Sequence, residues 1–198
     1  MRQRLVGILL FNEVEVLDFA GPFEVFSITT TLESNVKPFV VKTISENGEM
    51  VTARNGLNVQ PDYGFDDHPS FDIVIIPGGY GAEQIEINNP RIIAWIQDQK
   101  SKVELMTSVC TGALLLAKAG VLDGRKATTH WMDLDRLDEE FPEVSVQRHV
   151  KFVDEGSILT SGGISAGINL SFHMIARLHG KEVALKTAKQ MEYDITIE

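Results

Sequence analysis

The chain predicts an α/β protein, a mostly parallel central sheet with helices on both faces. Three observations carry that expectation. Short aliphatic or β-branched runs recur along the chain, at Leu5 to Phe11, Asp72 to Ile76 and Val103 to Val109, and such runs read as strands buried on both faces. Longer segments of helical character separate them. Glycine and proline close the strands, as in Pro77-Gly78-Gly79. Strands that alternate with helices pair in parallel, because a parallel return needs a long crossover.

The elements follow in order. Leu5 to Phe11 is a core strand. Met1-Arg2-Gln3-Arg4 ahead of it imitates the charged start of a signal peptide, but Asn12, Glu13 and Glu15 follow at once and no small-residue cleavage site is seen. Leu17 to Ile28 is a helix in which Pro22 is tolerable only in the first turn. Pro38 to Ile44 is the next strand, and Met50 to Gln60 a hairpin turned at Arg54-Asn55-Gly56. Asp72 to Ile76 is a strand and Pro90 to Lys100 a helix with proline at its start. Val103 to Val109 is the strand before Cys110; Gly112 to Ala119 is the helix after it, stopped at Gly120. Lys126 to Thr129 is a short strand and Trp131 to Glu140 a helix. Gln147 to Val153 and Ser157 to Ser161 pair across Asp154-Glu155-Gly156. Ile164 to Leu178 is a long apolar helix ending near Gly180, and Lys181 to Tyr193 is the last helix. With no internal repeat, low-complexity segment or linker, residues 1–198 are expected to form one domain.

Composition narrows the function. A hydrophobic fraction of 43% with 23% charged residues is that of a soluble globular protein. Eighteen basic residues against 28 acidic ones, net charge −10, with no Lys/Arg cluster, argue against a duplex-DNA reader. A single cysteine excludes an intramolecular disulfide and fits a reducing compartment. No apolar run is long enough to cross a bilayer, so the expected location is cytoplasmic.

Three constellations bear chemistry. Cys110 sits where strand character gives way to helix character. A sharp turn there presents the thiol, and the positive end of a helix is expected to favour thiolate, making Cys110 a candidate nucleophile rather than a small buried hydrophobe. Pro77-Gly78-Gly79-Tyr80-Gly81 directly follows a strand, and successive glycines let backbone N–H groups approach an anion as an oxyanion hole requires; a plain turn is the alternative. It lacks both the Rossmann glycine spacing and a Walker lysine. Asp18 lies among apolar residues just ahead of Gly21-Pro22. Locally it reads as a helix-entry aspartate, and functionally as a buried carboxyl of raised pKa. The ends of neighbouring parallel strands converge on one sheet edge, which places Asp18, Gly79 and Cys110 together.

Two other features are weaker. Gly163-Ile164-Ser165-Ala166-Gly167 matches the G-x-S-x-G elbow, but the downstream His173 and His179 fall within the helix that Ser165 begins, so the segment is expected to pack a helix closely on the sheet. The five histidines form no i, i+4 pair and there is no second cysteine, so no metal site is expected. His130, beside Trp131, either lines the pocket or is structural.

With these residues, the chain resembles the ThiJ/PfpI family of the class I glutamine-amidotransferase-like superfamily, from about Leu5 to Tyr193. The resemblance rests on Leu17-Asp18-Phe19-Ala20-Gly21-Pro22, Ile76-Pro77-Gly78-Gly79, Thr107-Ser108-Val109-Cys110-Thr111-Gly112, Ala127-Thr128-Thr129-His130-Trp131 and Gly162-Gly163-Ile164-Ser165-Ala166-Gly167. It implies a flavodoxin-like three-layer sandwich. Within the family the chain is most similar to isonitrile hydratases, which carry an aspartate before Gly-Pro as Asp18 stands here. Family proteases carry a glutamate near that position and a histidine after the cysteine, where this chain has Thr111. The same signature occurs in the ligand-sensing half of AraC-type regulators; no helix-turn-helix segment follows Tyr193, so such a regulator is not expected.

The resemblance implies a cofactor-free lyase acting on a small electrophile. Cys110 attacks the isonitrile carbon, Asp18 protonates that carbon to give a thioimidate, and water releases an N-substituted formamide. Gly79 and Thr111 N–H groups and the Thr111 hydroxyl are expected to stabilise developing charge, with Gly78, Tyr80 and His130 lining the site. It also implies a homodimer with the site near the interface. The rival expectations are a glyoxalase-like or amidase activity, and a redox or stress-response role for an oxidisable Cys110.

Overall fold

A computed structural model describes residues 2–197. Its centre is a six-stranded sheet. β1 (Arg4–Leu9) leads into α1 (Val16–Ile28) and β2 (Phe39–Ile44). A small antiparallel pair follows, β3 (Val51–Thr52) and β4 (Asn58–Val59), then β5 (Ile73–Ile76), α2 (Pro90–Lys100), β6 (Leu105–Ser108) and α3 (Gly112–Lys118). The second half runs β7 (Lys126–Ala127), α4 (Leu134–Glu140), β8 (Ser145–Val146), β9 (Phe152–Asp154), β10 (Ile158–Ser161), α5 (Ala166–His179) and α6 (Lys181–Gln190).

The sheet order is β2-β1-β5-β6-β10-β9. All neighbours are parallel except β9, which runs antiparallel to β10 at the edge with Thr160 opposite Val153. α1, α5 and α6 pack together, as do α2 and α3, giving a helical layer on each side of the sheet. β5 shows why the sheet must be covered twice: Ile73, Val74, Ile75 and Ile76 are all buried, as both faces of a central parallel strand require. The strand order reverses between β1 and β5, and in open α/β sheets ligands bind beyond the carboxyl ends of strands at such a point. Among the described residues no helix is long and apolar enough to cross a membrane.

The expected fold class and alternation hold, with local departures. Pro22 stands in the second turn of α1, not the first, because the helix begins at Val16; having no N–H, it leaves the Asp18 carbonyl without its helical donor. Gly21 beside it lets α1 approach α5, since a Cβ there meets Ile168 Cγ1 at 2.9 Å. The expected strand Gln147 to Val153 is interrupted because His149 is left-handed (φ 61), so β8 and β9 separate. β7 stops at Ala127: Thr128 N–H donates to Thr160 Oγ1 (2.9 Å) and Thr129 turns toward Cys110. The expected helix from Trp131 opens as a 3₁₀ turn, Trp131–Asp133, before α4. The last helix ends at Gln190 rather than Tyr193, with Glu192 left-handed (φ 50). A π-turn, Gly81–Ile85, follows the glycine loop where no element was expected.

Candidate active site

Cys110 lies two residues past β6, with φ 55. A non-glycine residue at positive φ is strained and persists only where its surroundings hold it. They do so on both sides. Cys110 N–H donates to Gly162 O (3.1 Å), and Cys110 C=O accepts from Thr129 Oγ1 (2.9 Å). Glycine is needed on either side of the turn: a Cβ on Gly112 would lie 2.1 Å from Ile76 O, and one on Gly78 2.4 Å from Thr111 N. Thr129 was not singled out as a site residue. Thr129→Val is expected to cost about 1–3 kcal/mol, the penalty for a buried group losing its partner, and to lower turnover together with stability; denaturant unfolding beside an activity assay measures both.

Asp18, the third residue of α1, is fully buried. Its Oδ2 accepts from Gly78 N–H at 2.9 Å, while Oδ1 has no hydrogen-bond partner among the described residues. Burial pushes the carboxyl up to about 7, against the pull of Gly78 N–H and of the Cys110 thiol beside it. Cys110 is 6% exposed. Burial and then the Asp18 charge push its thiol well above the ordinary range; the N–H groups of Thr111 and Ile164 oppose the rise. The expectation of a depressed thiol at a helix end is thus corrected: desolvation and a neighbouring carboxylate outweigh the short helix α3.

The glycine loop is also used differently from the expectation. Gly78 N–H serves Asp18, and Gly79 N–H donates to Thr111 Oγ1 at 2.9 Å, so neither amide points free at a substrate. The Thr111 hydroxyl is likewise tied to Gly79. Gly79 is left-handed (φ 115), and a Cβ on it would lie 2.5 Å from Glu15 N, which brings the loop against the start of α1. Tyr80 is exposed with the Arg54 guanidinium 5.9 Å from its ring. His130 packs against Gly163, and its Nδ1 lies 3.7 Å from Asp133 Oδ2. Asp133, also unanticipated, adds its charge to those raising the Cys110 thiol.

The G-x-S-x-G segment packs closely, as expected: a Cβ on Gly167 would lie 2.8 Å from Val109 Cγ1. His173 is paired with Asp154 (2.7 Å) and His179 lies beside Arg4 (3.3 Å), which leaves Ser165 without the histidine of a hydrolase triad. What the sequence reading missed there is Ile164, a β-branched residue held left-handed at φ 46.

A cysteine held in a left-handed turn beyond a parallel strand, against a buried carboxyl from the neighbouring helix, defines an α/β protein of the cysteine-elbow class. The chain belongs to the DJ-1/PfpI family, whose model matches residues 4–177. It is 33% identical over 188 residues to the isonitrile hydratase of Pseudomonas putida, covering 95% of this chain and 78% of that protein. It is 30% identical over 189 residues to the HTH-type transcriptional regulator GbdR of Pseudomonas aeruginosa, covering 96% of this chain but half of the regulator. A crystal structure of a ThiJ/PfpI family protein from Pseudomonas syringae superposes with a TM-score of 0.87 at 26% identity, over all of this chain and 78% of that one.

Proposed function

We propose that the protein is a cysteine-dependent enzyme that adds water to an isonitrile, giving an N-substituted formamide. The observation that carries this reading is the buried Asp18 carboxyl, with one oxygen unpartnered, directly beside the Cys110 thiol. Hydration of an isonitrile places nucleophile and proton on the same carbon, so acid and nucleophile must be neighbours. Acyl transfer needs its acid at a separate leaving group instead. The 33% identity to an isonitrile hydratase supports the same choice.

The steps follow from that pair. Ionised Asp18 takes the thiol proton as the sulfur forms its bond to the isonitrile carbon. Asp18 returns that proton to the same carbon, giving a thioimidate, R–N=CH–S–Cys110. Water adds to the CH carbon, losing a proton to Asp18, which passes one to nitrogen. The C–S bond of R–NH–CH(OH)–S–Cys110 then breaks with its electron pair going to sulfur. The hydroxyl proton leaves through Asp18 to the sulfur, freeing R–NH–CHO and the thiol. A redox-sensing role needs an accessible thiolate, and the raised, nearly covered Cys110 thiol weighs against it.

The first step requires ionised Asp18. kcat/KM for cyclohexyl isocyanide is therefore expected to rise with pH through about 7, the value of that carboxyl, and to level off above it. A profile flat from pH 5 to 9 would remove Asp18 as the base. Formamide released by wild type and not by Cys110→Ala tests the reading as a whole.

A further inference from the structure

A cavity of about 990 Å³ lies between the edge strand β9, the helix α5 and the tail that follows α6. That is the size of a small-ligand site, and none of the residues that line it belongs to the Cys110 site. The tail forms one wall. Tyr193, Ile195 and Ile197 are covered while Asp194 and Thr196 are exposed, the alternation of an extended segment with one face inward. The opposite wall has an ordered polar stripe. Asn169, His173 and Arg177 recur every fourth residue of α5, so they share one face of the helix. An ionised Asp154 can only accept, so His173 Nε2 donates to its Oδ2, at 2.7 Å. Arg177 Nη1 donates to both Asp154 oxygens, at 3.0 and 3.2 Å, and to Gly156 O at 2.6 Å, which fixes the carboxylate. A carboxylate on one ring nitrogen orients the imidazole and leaves Nδ1 of the neutral ring as an acceptor. Among the described residues no hydrogen bond engages His173 Nδ1 or the Asn169 carboxamide. Aromatic rings complete the lining: Phe152 lies 4.6 Å from His173, ring to ring, and Tyr193 is stacked on Phe172 at 5.8 Å.

We propose that this cavity binds a planar, uncharged heteroaromatic base of the purine class. The Asn169 carboxamide pairs with a neighbouring donor and acceptor on the base edge, a second N–H of the base donates to His173 Nδ1, and the ring packs among Phe152, Tyr193 and Ile195. A carboxamide presents a donor and an acceptor side by side, which is how asparagine pairs with the N6 and N7 edge of adenine. Aromatic faces stack on any base. The charges select against an ionic ligand. Arg177 is committed to Asp154, and the two exposed charges on the lining, Lys151 and Asp194, are of opposite sign. This site stands independently of the hydratase reading.

The test titrates 2-aminopurine, whose fluorescence falls when its ring stacks, with the full chain. Wild type is expected to quench it saturably, and adenine to displace it. Asn169→Leu and His173→Leu should each weaken binding about tenfold, the effect of one hydrogen bond left unmatched. Cys110→Ala should bind as wild type does. No quenching by wild type, or quenching unchanged in both leucine variants, overturns the proposal. Loss of binding in Cys110→Ala also overturns it, because the base would then sit at the other site. Should a leucine variant lose its cooperative melting transition, Ile195→Trp answers instead. It fills the cavity from the tail without touching α5, and should abolish quenching; quenching retained there counts against the proposal.

Discussion

Cys110→Ala is expected to abolish the proposed isonitrile hydration, a loss on the order of 10⁴-fold or more, because the proposed covalent step is made by the Cys110 sulfur. The protein should remain folded. The thiol is small, and the elbow is held by backbone hydrogen bonds to Gly162 and Thr129 that alanine keeps. The cost of the lost sulfur contacts is about 1 kcal/mol. Alanine inherits the left-handed strain at φ 55, whereas glycine adopts it freely. Cys110→Gly should therefore unfold at a denaturant concentration no lower than Cys110→Ala, although it buries less. Residual wild-type turnover in either variant would remove Cys110 from the chemistry. A clearly less stable Cys110→Gly would show that the strain is not held in the folded protein.

Asp18→Asn should cut turnover by about 10²- to 10⁴-fold, the usual contribution of a positioned acid–base group. It should also change how stability depends on pH. The Asp18 carboxyl titrates at about 7 in the folded chain, against an ordinary value of 3.8. The unfolded chain ionises first. The stability Asp18 contributes is thus complete below about pH 4, declines as pH rises, and is gone above about 7. At 1.36 kcal/mol per unit the loss is roughly 4 kcal/mol. Asparagine accepts from Gly78 N–H through its carbonyl oxygen and does not titrate. The melting temperature of Asp18→Asn relative to wild type should therefore climb from pH 4.5 to about pH 7 and level off above it. A constant difference across that range would mean that Asp18 is not a buried, raised acid. The expected pattern, a less active and relatively more stable variant at alkaline pH, marks a group kept for function at a cost in stability.

Much of this architecture is legible in the residues themselves. The β-branched run at Ile73 to Ile76, proline at the start of α2, Asn55-Gly56 in the hairpin and Gly120 after α3 each state a local preference that packing does not override. Cys110 at a strand-to-helix junction and glycines beyond β5 were enough to bring Cys110, Asp18 and the loop to one edge, because parallel strands share a direction. The α1 proline shows the limit even of local rules: the helix admits Pro22 in its second turn because contacts with α5, not propensity, hold it.

The sequence by itself determined the order of the elements, the layered α/β class and the family, and it singled out Cys110 and Asp18 as candidates for the site. Tertiary structure alone decided the surroundings of the Cys110 thiol. Ionisation depends on burial and on the charge of Asp18, which meets Cys110 from 92 residues away in the chain. Which amides remain free depends on Gly78 and Gly79 being claimed by Asp18 and Thr111. Thr129 enters through a side-chain hydroxyl whose partner, the Cys110 carbonyl, lies 19 residues away in the chain, so nothing local to the threonine signals its role. Composition and spacing report on local preference and burial; hydrogen bonds and electrostatics between distant segments exist only once the chain has closed.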